Sequence, residues 1–67
     1  MVTRIHYYGS VFELDHRIDD EGHRRIIQAN LDHAAEHGPS TFWFDLAGGG
    51  HVSLKLGPDT HFGVQTD

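Results

Sequence analysis

Residues Thr41 to Gly57 read TFWFDLAGGGHVSLKLG, and this stretch decides the fold. Apolar side chains alternate on both sides of a glycine run, with Phe42, Phe44 and Leu46 before it and Val52, Leu54 and Leu56 after it. Successive side chains of a strand point to opposite faces, so this pattern predicts two antiparallel strands joined by a flexible turn at Gly48, Gly49 and Gly50. One face of the hairpin is hydrocarbon and has to meet another element. Trp43 falls on the other face, where Phe42 and Phe44 already supply the core without it. The predicted register sets Trp43 across from Lys55, close enough for a cation–π contact.

The chain on the N-terminal side repeats the pattern. In RIHYYGSVFELD, Arg4 to Asp15, Ile5 and Tyr7 answer Phe12 and Leu14 around Gly9 and Ser10. A two-residue turn with glycine first suits type II′ geometry, where the first central residue needs positive φ. That register puts Arg4 opposite Asp15 and His6 opposite Glu13, pairs of opposite or potentially opposite charge that support the same alignment.

Between the hairpins lies IDDEGHRRIIQANLDHAAEHGP. Acidic residues open it, good helix formers fill it, and Gly38 and Pro39 stop it, which predicts a helix from about Asp19 to His37. At 100° per residue, Ile27, Leu31 and Ala34 share one face, with His23 and Asn30 beside it. Arg25, Gln28, Asp32 and Glu36 point away. After the turn at Gly57, Pro58 and Asp59, a last strand from His61 to Gln65 would turn Phe62 and Val64 inward.

The sum is a single α+β domain spanning residues 1–67, two-layered, with the order ββαββ and a fifth strand at the end. Its sheet is mostly antiparallel, and its one helix packs on one face. The other face is expected to be open, carrying Arg4, His6, Tyr8, Val11, Glu13, Asp15, Trp43, Asp45, Ser53 and Lys55.

Composition narrows the functions. The chain has 67 residues and no cysteine, so disulfides and thiolate metal sites are excluded, and nothing calls for an oxidising compartment. No apolar run approaches the roughly 20 residues of a membrane span and the N-terminus lacks the apolar core of a signal peptide, so the expected setting is the cytoplasm, with no membrane partner. Ten Asp and Glu against five Lys and Arg give a net charge of −5, which opposes phosphate binding and disfavours a nucleic-acid partner. Seven histidines make this balance sensitive to mildly acid pH.

Candidate chemistry is sparse. His33 and His37 are one helical turn apart, the spacing with which two imidazoles share a metal, but no third ligand is identifiable and the pair also suits a helix C-terminus. His23 and Asn30 read as hydrogen-bonded polar groups at the core edge. AGGGH joins two strands rather than leading into a helix, so it reads as a turn and not a phosphate loop. His51 and Ser53 have no third group to orient a base, and Asp19 and Asp20 suit helix capping. No catalytic residue, resident metal or cofactor is therefore expected.

The order YYGSVFELDHR, a helix, STFWF, a glycine-rich turn and SLKLGP resembles a family of small uncharacterised actinobacterial and actinophage proteins, with a Tyr-Gly-Ser hairpin and a Ser-Leu-x-Leu-x-Pro strand. Some members are labelled ATP-dependent DNA ligases, yet this chain has no adenylation lysine motif. The resemblance implies the fold and a bacterial or phage origin, and no catalytic residues.

The functional expectation is a non-enzymatic protein-binding module of the adaptor or inhibitor type. Tyr8, Trp43, Lys55, Arg4 and Val11 would form its contact surface on the open face, because tyrosine, tryptophan and arginine carry binding energy at interfaces. The partner would be a second copy, making a homodimer, or another protein. The alternative is a metal-binding protein or metal-assisted enzyme using His33, His37 and a third histidine. Single-stranded nucleic-acid binding on the aromatic face is the third reading.

Overall fold

The computed structural model describes residues 2–67. Its elements are β1 (Thr3–Tyr7), β2 (Ser10–Glu13), α1 (Asp20–His37), β3 (Ser40–Asp45), β4 (His51–Leu56) and β5 (Phe62–Thr66). The fold is α+β, with five antiparallel strands and one helix. Hydrogen bonding divides the strands into a three-stranded sheet in the order β2-β1-β5 and a two-stranded sheet of β3 and β4. A corner joins them, where Leu14 bridges Leu46, the Asp15 amide donates to the Asp45 carbonyl at 3.0 Å, and the Ala47 amide donates to the Glu13 carbonyl at 3.0 Å.

Both hairpins form from the predicted strands, but each is shifted by two residues from the predicted register. In the first, Ile5 pairs with Phe12, His6 with Val11 and Arg4 with Glu13, which replaces the expected Arg4–Asp15 and His6–Glu13 pairs. The turn is Tyr8–Gly9, not Gly9–Ser10, and both residues have positive φ, 48° and 85°. Positive φ at both central positions is the type I′ geometry, whose twist matches the strands. In the second hairpin Trp43 pairs with Ser53, and Lys55 pairs with Thr41. A shift of two keeps every side chain on its face, so the core is the expected one despite the changed partners.

The helix begins one residue later than predicted. Asp19 is its N-cap, accepting the Gly22 amide at 2.7 Å, and Gly38 with φ 91° ends it by donating its amide to the Ala34 carbonyl. Left-handed φ costs glycine little, and acceptance of a first-turn amide satisfies a donor the helix leaves unpaired. β5 runs Phe62–Thr66, starting and ending one residue later than predicted, and pairs with β1.

Ile5, Leu14, Ile27, Phe44, Leu54 and Leu56 form the buried core. They come from both sheets and the helix, so the inner sheet faces meet one another as well as α1. Burial of each such side chain contributes about 1.5–3 kcal/mol. At the far end Gly57 is buried against Pro39, where a Cβ would lie 2.9 Å from the proline Cγ, so the chain after β4 needs glycine to pass.

Candidate protein-contact surface

Trp43 is 67% exposed. Its strand neighbours Phe42 and Phe44 turn inward, as alternation requires, and leave the indole on the outer face of the β3–β4 hairpin. There it stacks on His51, with ring centroids 4.4 Å apart and planes at 24°. The predicted partner Lys55 is displaced by the register shift: it sits opposite Thr41. His51 lies diagonally across from Trp43 on the same face, a position within reach of aromatic side chains.

Two exposed isoleucines continue this apolar surface around the edge of β3. Ile18, just before the helix, and Ile26, in its second turn, are 37% and 42% exposed. With His23, Trp43, Phe44 and Asp45 they line a depression of about 80 Å³. Ile18 is held by close approach to the helix, since a Cβ on Gly22 would lie 2.8 Å from its Cγ2. Neither isoleucine was singled out by the sequence reading. Ile26 could have been, because an isoleucine off the Ile27–Leu31–Ala34 face is by its position exposed.

The remaining predicted contact residues are dispersed. Tyr8 is 62% exposed at the first turn, packed edge-on against Tyr7 with centroids 4.7 Å apart. It lines a second depression with Lys55, Pro39, Pro58 and Asp59, and the Tyr7 hydroxyl donates to the Lys55 carbonyl at 2.9 Å. Val11 is exposed on β2. Arg4 is half-buried in a network, donating to Glu13 at 3.4 Å and to Asp67. Tyr8 and Lys55 are therefore brought together, while Arg4 and Val11 stay on the β1–β2 hairpin and Trp43 sits on the other sheet.

Asp15, expected on the open face, is buried. It lies at the corner between the sheets, where its carboxylate accepts the Arg17 amide at 2.9 Å and the Arg17 guanidinium at 2.5 and 2.8 Å. These bonds, first from the side chain and then from the backbone of Arg17, lower its pKa to about 2. The same contacts raise the pKa of Arg17. His23 is buried beside them, with Nε2 2.8 Å from the Asp15 carbonyl oxygen. It is satisfied there rather than by Asn30.

Asp20 does more than the predicted capping. Its carboxylate accepts from the Thr66 hydroxyl, from Arg24 Nε at 2.9 and 3.1 Å, and from the Thr3 hydroxyl at 3.2 Å. Its pKa is lowered, chiefly by the Thr66 bond and then by Arg24 and Thr3. The helix start is thereby tied to both strands of the β1–β5 pair at one end, where Thr3 faces Thr66.

His33 and His37 meet at a centroid distance of 4.6 Å, and the His33 ring stands edge-on to Phe42 at 5.9 Å. Among the described residues no group of three His, Asp or Glu side chains is placed to hold a metal. Ser53 makes no side-chain hydrogen bond with His51, and the Ser40 hydroxyl donates to the Gly38 carbonyl. Among the described residues, no helix is long and apolar enough to cross a membrane.

The chain matches no protein-family model, no curated protein and no solved structure.

Proposed function

We infer that the protein is a non-enzymatic protein-binding module that holds its partner, a second copy or another protein, through the surface around Trp43. One observation carries the reading: a tryptophan 67% exposed stands beside exposed Ile18 and Ile26, which line one depression with it. Large aromatic side chains that lose water on contact supply most of the energy at protein interfaces, and clustered exposed hydrocarbon is costly unless it serves one. The groups with shifted acidity are engaged within the fold: Asp15 and Arg17 bond each other in one turn, and Asp20 ties the helix to β1 and β5. Tyr8 and Val11 are exposed too, but singly and on the other hairpin, whereas Trp43, Ile18 and Ile26 are gathered in one place. The excess of carboxylates favours a protein over a nucleic acid as partner.

The test is capture on immobilised protein, offered the protein itself and an extract of its host cells, with Trp43→Ala as the folded control. Retention by the wild type and loss in Trp43→Ala supports the reading. Equal retention by both, or none by either, overturns it.

A further inference from the structure

The three-stranded sheet ends in a free edge at β5. At one end of the β1–β5 pair Val2 and Asp67 exchange two backbone hydrogen bonds, and at the other the Tyr8 amide donates to the His61 carbonyl. Along an antiparallel pair such bonds recur at every second residue. The odd-numbered residues of β5 therefore bond β1, while Phe62, Val64 and Thr66 point their N–H and C=O groups away from it. Those groups meet no partner among the described residues. Each other edge is engaged somewhere: the Glu13 carbonyl of β2 accepts the Ala47 amide, the Asp45 carbonyl of β3 accepts the Asp15 amide, and the Lys55 carbonyl of β4 accepts the Tyr7 hydroxyl.

A groove of about 420 Å³ runs beside this edge. Ile27 and Leu31 of the helix and Phe62 and Val64 of β5 form its walls, with Gln28 at the rim and Arg24 at one end. Arg24 reaches the Thr66 hydroxyl, and Leu31, two helical turns farther on, lines the groove with Phe62. From Arg24 to Leu31 the helix rises roughly 10 Å and from Thr66 to Phe62 the strand covers roughly 13 Å, so wall and edge run together. The neighbouring carboxylate of Asp67 is turned to Arg4 and Gln65.

Free backbone groups beside an apolar groove suit an extended peptide, whose main chain adds a strand while its alternate side chains fill the groove. We propose that β5 takes up an extended segment of another protein as a fourth strand, antiparallel to it and separate from the Trp43 surface. The segment's residues facing Thr66, Val64 and Phe62 each exchange two hydrogen bonds with the edge and turn their side chains towards the helix. Those facing Val64 and Phe62 are apolar, because they enter the groove. The one facing Thr66 is acidic: Arg24 uses Nε on Asp20 and Nη2 on Thr66, and its Nη1 has no partner among the described residues. The recognised sequence is therefore acidic-x-apolar-x-apolar. A second copy does not supply it, because β5 laid antiparallel on β5 about Val64 brings Phe62 to the Arg24 end and Thr66 to Phe62.

Panning a displayed library of random peptides on the immobilised protein tests the proposal. Enrichment of acidic-x-apolar-x-apolar sequences is expected, and one enriched peptide, synthesised with blocked ends, is the probe for fluorescence anisotropy and for amide hydrogen exchange by NMR. Its binding should protect the Phe62, Val64 and Thr66 amides. N-methylation of its residue facing Val64 removes a hydrogen bond to the edge and should weaken binding by more than about tenfold, whereas N-methylation of the next residue, whose amide points away, should cost less than about threefold. This pair alters the peptide alone, so folding of the protein does not enter. Arg24→Gln should weaken the acidic peptide by more than about threefold and leave its asparagine analogue unchanged, and an equal loss for both overturns the acidic position. Failure to enrich such sequences, equal sensitivity to the two N-methylations, or protection confined to other amides overturns the fourth strand. A probe whose binding is lost in Trp43→Ala belongs to the Trp43 surface, which overturns the separate site and leaves the protein-binding reading standing.

Discussion

The two flanks of helix α1 are built on opposite plans. Towards β5, Asp20 gathers Thr3, Thr66 and Arg24, and the Arg24 guanidinium reaches the Thr66 hydroxyl at 2.7 Å, so polar side chains close the helix start onto the sheet. Towards β3, His23 reaches the Asp15 carbonyl, but among the described residues no helix side chain bonds β3 itself, and Ile18, Ile26 and Trp43 stay exposed around a shallow depression. Directional bonds have been spent on closing the molecule, and hydrocarbon has been left at the side that stays open. Adjacent residues make the contrast sharpest: Ile27 is 4% exposed and Ile26 is 42% exposed. The largest expected effect is therefore Ile27→Ala, which removes core atoms shared by helix and sheet and should destabilise the fold by about 2–5 kcal/mol. Chemical denaturation measures it. A loss under about 1 kcal/mol would mean that α1 is not seated on the core.

The tied flank should also report itself through pH. The Asp20 carboxylate has a lowered pKa in the folded chain, and that of Asp15 is lowered to about 2. A group that binds its proton less tightly when folded stabilises the fold above its unfolded pKa of about 3.9, and that contribution fades as pH falls towards the folded value. The wild type is accordingly expected to lose melting temperature between about pH 5 and pH 2. Asp20→Asn should melt lower than the wild type at neutral pH, by less than Ile27→Ala does, and should lose less on acidification. Its residual acid sensitivity belongs to Asp15, whose tie to Arg17 remains. Parallel curves for the wild type and Asp20→Asn would show that the bonds to Thr66 and Arg24 contribute nothing to folding.

Alternation of apolar residues made the five strands, their faces and most of the core legible in the sequence. It could not fix the register, because period two is blind to a shift of two residues. The turns decide the register, and the first turn places Tyr8 at φ 48°, a conformation that favours Asn or Gly and that the letters Tyr-Gly-Ser do not announce. The stacking of Trp43 on His51 followed from that hidden detail in the second hairpin, and so was missed. The outward position of Trp43 was read correctly because it needed only the face. Asp15 was misplaced for a different reason. Its side chain obeys the turn to Arg17 and the sheet corner, contacts set by the meeting of two hairpins rather than by the pattern of either one.

The smallest expected effect is on the open flank, and it is the one that sharpens the comparison most. Ile26→Ala exchanges an isoleucine for alanine one position before Ile27, in the same helix and with the same atoms removed. Its side chain is part-exposed, so only a fraction of its hydrocarbon leaves a packed environment, and alanine has the higher helix propensity by a few tenths of a kcal/mol. The two terms oppose one another, and the folding stability of the dilute protein should stay within about 0.5 kcal/mol of the wild type. A loss above about 1 kcal/mol would mean that Ile26 is packed within its own chain in solution, and the flank towards β3 would then be closed. Repeating the melt at rising concentration separates the intramolecular role of Ile26 from the intermolecular one. Where the partner is a second copy, stabilisation grows with concentration in the wild type, and it should grow less in Ile26→Ala, whose contact with the partner is reduced while its own fold is not.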